Sequence, residues 1–284
     1  MMAEPATPYI FDNSDEGEGE RLAGIQAIFD PGTFRHLTDL GVGEGWRCLE
    51  VGAGAGSVAR WLCEQVGEKG SVLATDIDTT LLRDLDLPNL EVRQHDLQTE
   101  ELPRGEFDLV HCRLVLIHLP AREEILQSLA RALAPGGRLL VEDLSLAGTG
   151  AATRRGSVAF RSVIAPLRAM LHSHGADVNF ARRLPILINR LGLVEVGAEG
   201  RVAILIGGSE NVRWALPTLE RIQERLLGDE HSPSKARAAF ERVPILRQAV
   251  DRQLTRLRKL LDDPEFAFHF PPMVAAWGRR PPAA

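Results

Sequence analysis

Short runs of Val, Leu and Ile recur along the first half of the chain, each followed by a stretch of helical spacing or a turn signal. RCLEV (47–51), SVLATDI (71–77), LEVRQHD (90–96), FDLVHC (107–112) and RLLVEDL (138–144) read as strands. Between them lie a helix over SVARWLCEQV closed by Gly67, a short helix near Leu81–Leu85, and a helix from about Arg122 to Leu133 that leads into the turn APGG. Ahead of the first strand, Leu22, Ile25, Ile28 and Phe29 fall at helical spacing. Asp30-Pro31 interrupts that pattern and starts a second helix reaching Leu40, with Gly41 beyond its end. Two helices are therefore expected before the first strand.

Further on, residues 151–176 carry several arginines and the pair His172 and His174 at helical spacing, and FARRLPILINRLG reads as a helix ended by Gly192. LVEVGAEG is then a strand, Ser209 to about Leu261 is helical and charged, and FAFHFPPMVAAWGRR supplies a last strand. Strands that alternate with helices bury both faces of a parallel sheet, so the fold class is α/β, doubly wound. One elaborated unit over 1–284 is expected. It comprises an arm and helices (1–44), a core (45–145), a variable region with a strand (146–208), a helical cap (209–265) and the last strand with a tail (266–284). In the cap, Trp214, Leu216, Leu219, Ile222 and Leu226 form an apolar stripe that reads as core, as a dimer contact, or as a lid over an apolar pocket.

Composition narrows the functional classes. The 284 residues are 44% hydrophobic with a net charge of −6, and no Lys/Arg block occurs, which argues against nucleic acid or an anionic membrane as partner. Cys48, Cys63 and Cys112 lack a CxxC spacing and read as reduced, buried thiols; no metal site is expected. The opening MMAEPATPYIFDNSDEGEGE has no basic-then-apolar leader pattern and no run suits a membrane span, so a soluble, cytoplasmic protein is expected, monomer or homodimer.

The chemistry concentrates in CLEVGAGAGSVA. Gly52, Gly54 and Gly56 sit where a strand turns into a helix, a place that lets backbone approach a polar ligand beside a helix N-terminus. Read from Gly54, GAGSVA satisfies the dinucleotide pattern G-x-G-x-x-[GA]. Asp76, about twenty residues on, suits ribose hydroxyls of either a dinucleotide or an adenosyl ligand. Glu50, two residues before the first glycine, and Asp96, at the end of the third strand, discriminate. A carboxylate beside this turn repels a pyrophosphate but suits a ligand bearing an ammonium and a sulfonium.

With LEVGAGAG, ATDID, QHDL, FDLVHCRLVLIHLP and LAPGGRLLVED in this order, residues 45–145 resemble the class I S-adenosylmethionine-dependent methyltransferases. The closest likeness is to the ubiquinone/menaquinone type and its relatives in bacterial natural-product pathways. The resemblance implies a mostly parallel seven-stranded, Rossmann-like sheet and S-adenosyl-L-methionine as cofactor, leaving as S-adenosyl-L-homocysteine. It implies that Asp76 accepts the ribose hydroxyls, Asp96 with Leu97 meets the adenine amino group, and Ile77 packs on the adenine face. Gly52, Ala53 and Gly54 would pass close to the methionine part, with Gly56 also in the cofactor-binding turn, Glu50 orienting turn and ammonium, and Cys112 and Arg113 along the methionine tail. Tyr9 would fold over the cofactor or dock on the core.

Several of these residues have a second reading. Glu50 reads alternatively as half of a buried ion pair with Arg47 or Arg138, Asp96 as a turn cap, and Asp78 as the N-cap of the short helix. His118 is the candidate base and equally a packed histidine; His111 reads as structural; His172 and His174 read as substrate contacts or a solvated face. Glu142 or Asp143 could face the acceptor at the carboxyl edge. The expected activity is methyl transfer to an O, N or C atom of a small apolar or aromatic metabolite. The alternatives are an NAD(P)-dependent oxidoreductase, a protein of this fold that binds the cofactor without transferring methyl, and, more remotely, a macromolecular methyltransferase.

Overall fold

A computed structural model describes residues 17–146, 149–151, 156–213, 215–227 and 244–283. Helix α1 (Glu18–Asp39) leads into β1 (Arg47–Val51), α2 (Ser57–Val66), β2 (Ser71–Asp76), β3 (Leu90–Gln94) and β4 (Phe107–Arg113). Next come α3 (Arg122–Ala132), β5 (Leu133–Leu144), β6 (Gly150–Ala151), α4 (Ser157–Ser173), α5 (Leu184–Arg190), β7 (Val194–Arg201) and β8 (Ile204–Ile206). Helices α6 (Glu210–Arg213), α7 (Leu216–Leu227) and α8 (Pro244–Leu261) precede β9 (Ala267–His269) and β10 (Met273–Arg279). The main sheet has seven strands in the order β3-β2-β1-β4-β5-β10-β7. Strands β1 to β5 pair in parallel, and β10 runs antiparallel between β5 and β7. This is the doubly wound, mostly parallel sheet expected from the sequence.

Strand alternation divides the core. Cys48, Val72, Ala74, Leu109, Leu140 and Ala275 pack on one face with α1 and α2. Leu49, Val51, Leu73, Val110, Cys112 and Val141 pack on the other with α3 and α5. Each interior strand is thus apolar on both faces. Glu50, His111 and Glu142, almost fully buried under α1, are exceptions, as are the buried Thr75 of β2 and Asp143 of β5.

Several readings of the sequence need correcting. Asp30-Pro31 does not divide two helices: α1 continues through Pro31. A proline forfeits one helix bond, but anchors on either side hold the axis. Asp30 bonds Arg113 and Ser57, and Thr33 bonds Glu142. The last apolar run is two strands. Pro271-Pro272 separates them, since neither residue donates to a ladder, and β9 joins a small second sheet, β6-β9-β8. Residues 180–192 open with a 3-10 turn (Phe180–Arg183), and only α5 is α-helical.

Candidate functional site

The sequence of β1 ends in the turn Gly52–Gly56, and all three glycines have positive φ, at 70°, 55° and 78°. A side chain at Gly52 would run into Val115, and one at Gly56 into Leu85 and Leu82. These positions need glycine for conformation and for space. The turn's amides are engaged internally. Gly52 and Ala53 donate to the Thr75 carbonyl at 2.8 and 3.0 Å, Gly56 donates to the Ala53 carbonyl at 2.8 Å, and Gly54 donates to Asp76 Oδ2 at 2.8 Å.

Asp76 stands at the end of β2, and its Oδ1 accepts the Asp78 amide at 3.2 Å. Burial raises its pKa, and the amide bonds from Gly54 and Asp78 oppose the shift. An ionised carboxylate accepts about four hydrogen bonds, so Asp76 keeps capacity for a ligand. Ile77 is 52% exposed beside it. A large apolar side chain standing in solvent just past the carboxyl end of β2 offers a surface for a flat ring. Asp96 is half-buried after β3, where Oδ1 accepts the Gln98 amide at 2.9 Å, and Leu97 packs partly into the core. Asp96 therefore does cap a turn, with its second oxygen left for other contacts. Asp78 accepts the Thr80 amide at 2.8 Å, capping the 3-10 turn Thr80–Leu82.

Glu50 does not pair with Arg47 or Arg138. Its Oε2 meets His111 Nδ1 at 2.5 Å. Nε2 of the same ring faces Glu142 Oε2 at 3.3 Å, and Glu142 also receives His36 Nδ1 at 3.1 Å and the Thr33 hydroxyl at 2.5 Å. Beyond His36, at the rim, Glu199 is held by Arg35 at 2.6 Å. Desolvation disfavours a charged His111, but Glu50 and Glu142 outweigh it and raise its pKa to about 9. Glu142, despite burial, is held well below the ordinary carboxylate range by His111 and His36. Thr33 and His36 were not anticipated as part of a site; their signal is a pair of polar residues at i and i+3 on the buried side of a helix.

Cys112 and Arg113 diverge. Cys112 is buried on the α3 side of the sheet, its thiol pKa pushed far up by desolvation. Arg113 points the other way, to Asp30 at 2.7 Å and Thr33 at 2.8 Å. The segment after β4 is strained: Leu114 has φ 60°, a left-handed conformation uncommon outside glycine that clusters at functional turns. It leads into a 3-10 turn, Leu116–His118. His118 is half-buried there. Burial, with Arg21 and Arg122 nearby, lowers its pKa to about 4, so the ring is neutral at pH 7. Asp143 lies fully buried behind this turn. Its Oδ2 accepts the Ile117 amide at 2.9 Å, its Oδ1 has no partner among the described residues, and burial raises its pKa to about 7.

His172 is exposed, and His174 Nδ1 donates to the Met170 carbonyl at 2.9 Å, both at the end of α4. Among the described residues no group of His, Cys, Asp or Glu is placed to hold a metal, and no helix is long and apolar enough to cross a membrane. Ile222 of the cap stripe is buried with Met170 and Leu171, while Leu216 and Leu219 are partly buried. Tyr9 and Trp214 lie outside the described residues.

Comparison with known proteins adds the following. Residues 49–141 match the family described as a methyltransferase domain. The chain is 32% identical over 206 residues to methyltransferase str3 of Strobilurus tenacellus, covering 70% of this chain and 72% of that protein. It is 31% identical over 147 residues to the ubiquinone/menaquinone biosynthesis C-methyltransferase UbiE of Laribacter hongkongensis, covering 50% of this chain and 59% of that one. Among solved structures, the YcgJ protein of Bacillus subtilis is similar in fold at a TM-score of 0.51 and 15% identity, covering 88% of this chain and 100% of that chain. The [4+2]-cyclase SpnF is similar at 0.50 and 16% identity, covering 87% of this chain and 81% of that chain.

Proposed function

The chain belongs to the class I S-adenosylmethionine-dependent methyltransferases, and from that premise we propose that it methylates a small apolar or aromatic metabolite at the carboxyl edge of β1, β2 and β4. The observation that carries the reading is the engagement of the glycine turn's amides. A dinucleotide pyrophosphate is held by backbone N–H groups. Here Gly52, Ala53, Gly54 and Gly56 already donate within the protein, and Gly54 does so to a carboxylate. That environment disfavours phosphate and suits a cation, which speaks against the oxidoreductase alternative.

Bound, S-adenosylmethionine supplies a methyl group already activated as an electrophile by its sulfonium. The protein's own part is to hold, align and exclude water. Asp76 would accept the ribose hydroxyls, Ile77 would cover one adenine face, and Asp96 would take the adenine amino group. The turn would pass along the methionine portion, with Glu50 beneath it. For an acceptor that loses a proton, the neutral His118 imidazole would take that proton. An apolar or aromatic acceptor is supported by the likeness to proteins named for ubiquinone and menaquinone biosynthesis and by the apolar cluster of Ile117, Leu167, Met170 and Ile222 behind the His118 turn. The same likeness supports a place in small-molecule biosynthesis.

Calorimetry with S-adenosylmethionine and with NAD(P) tests the binding half. Asp76→Asn should weaken S-adenosylmethionine on the order of tenfold to a hundredfold, the loss of charge-assisted hydrogen bonds to the ribose. Tight NAD(P) binding without S-adenosylmethionine binding refutes the reading. The fold is shared with a protein named as a cyclase, so transfer of labelled methyl to a panel of phenols and quinols is read alongside affinity. Binding without any transfer would favour the non-methylating alternative.

A further inference from the structure

We propose that His111 is a positioning residue: its imidazolium clamps Glu50 from the neighbouring strand on the same face of the sheet, fixes the end of β1 from which the cofactor turn departs, and ties that strand to helix α1. The inference rests on the methyltransferase reading for the ligand's identity, and on geometry for the rest. Glu50 and His111 are register partners on adjacent parallel strands, so their side chains rise on the same face. The contact of 2.5 Å between them is fully shielded, with His111 at 0% and Glu50 at 2% exposure. From the opposite side Glu142 Oε2 takes the other ring nitrogen at 3.3 Å. A neutral imidazole donates through one nitrogen only, whereas the protonated ring donates through both. Two flanking carboxylates therefore require the charged form.

The clamp reaches α1 and, through it, the start of α2. Glu142 also accepts from Thr33 and His36 of α1, and Arg113 joins Thr33 to Asp30, which in turn takes the Ser57 hydroxyl at the start of α2 at 3.1 Å. Farther along the same helix, Leu22 lies against the space above Gly54. One helix thus flanks the turn at Leu22 and, through Glu142 and His111, holds the carboxylate beneath it. Among the described residues, the charged and titratable groups on this face include Glu50 and Cys48 from β1, Cys63 from α2, Arg113 from β4, Glu142 from β5, Asp30, Arg35 and His36 from α1, and Glu199 from β7. The carboxylates nearest the ring dominate, and they place the loss of its proton near pH 9.

The experiment compares S-adenosylhomocysteine affinity of the wild type and His111→Asn by calorimetry from pH 7 to pH 10. The ligand's own amine titrates identically in both, so the ratio isolates the imidazole. The expected ratio is about tenfold at pH 7, falling towards one by pH 10 with a midpoint near 9. A ratio of one throughout, or one unchanged across the range, overturns the proposal; the latter is what a purely structural histidine gives. Should the variant not fold, the wild type itself decides by NMR of its labelled histidines. Reciprocity requires a tenfold coupling to raise the His111 pKa by about one unit when S-adenosylhomocysteine binds, and no shift overturns the proposal. Absence of any binding by the wild type instead refutes the cofactor assignment, a result separable from a flat ratio.

Discussion

Asp143→Asn exchanges a fully buried carboxyl group for a neutral amide of the same shape, and its effect on stability follows from the surroundings of Asp143. The carboxylate is bonded by the backbone amides of Ile117 and Leu144, and its Oδ1 has no partner among the described residues. Desolvation raises its pKa to about 7, against about 3.9 in an unfolded chain. The folded state therefore holds its proton more tightly than the unfolded state. The side chain's contribution is fully present below pH 4 and is lost as pH rises through 7. Three pKa units correspond to about 4 kcal/mol of destabilisation at alkaline pH. The asparagine oxygen can accept the same backbone amides and carries no charge, so the variant should escape that loss. Urea unfolding at pH 4.5, 6, 7 and 8 should show the two proteins close at the acid end and the variant gaining progressively, by up to about 4 kcal/mol above pH 7. A stability difference independent of pH would refute the argument and require the unpartnered oxygen to be solvated or paired.

Two further outcomes follow from the site. Gly52→Ala places a methyl group against Val115 at a φ of 70°; beyond the roughly 1–2 kcal/mol cost of a left-handed alanine, the turn must shift, so S-adenosylmethionine affinity should fall at least tenfold by calorimetry. Unchanged affinity would mean that the turn lies away from the ligand. For His118→Gln, turnover should fall about a hundredfold or more if an acceptor proton is transferred, with cofactor affinity unchanged. In the wild type the acid limb of kcat/KM should lie near pH 4 rather than 6.5; a limb at 6.5 would remove His118 from the proton's route.

The local signals in the sequence located most of the sheet and the glycine turn, because apolar runs and positive-φ glycines are properties of a few neighbouring residues. What lay beyond them depends on partners distant in the chain. Glu50 was legible as an unusual acid, but its partner His111 is 61 positions away and meets it only through strand register. The continuity of α1 across Pro31 was hidden for the same reason, since the anchors that sustain it come from β4, β5 and the start of α2. The 3-10 turn at His118 and the strained Leu114 were masked by apolar residues that serve a helix or a tight turn equally well.

The placement of β10 bears on how the molecule assembles during translation. Residues 273–279 fill a slot whose two walls, β5 and β7, were synthesised long before. Until they emerge, two ladders lack a partner and the side chains of Met273, Ala275 and Ala276 are missing from the cores on the two faces of the sheet. A nascent chain stalled ahead of Met273 would present two adhesive strand borders, the usual starting point for aggregation. Chaperone dependence of expression should therefore respond more to lesions in this late strand than to those in the earlier β3, which already lies at the outer margin of the sheet.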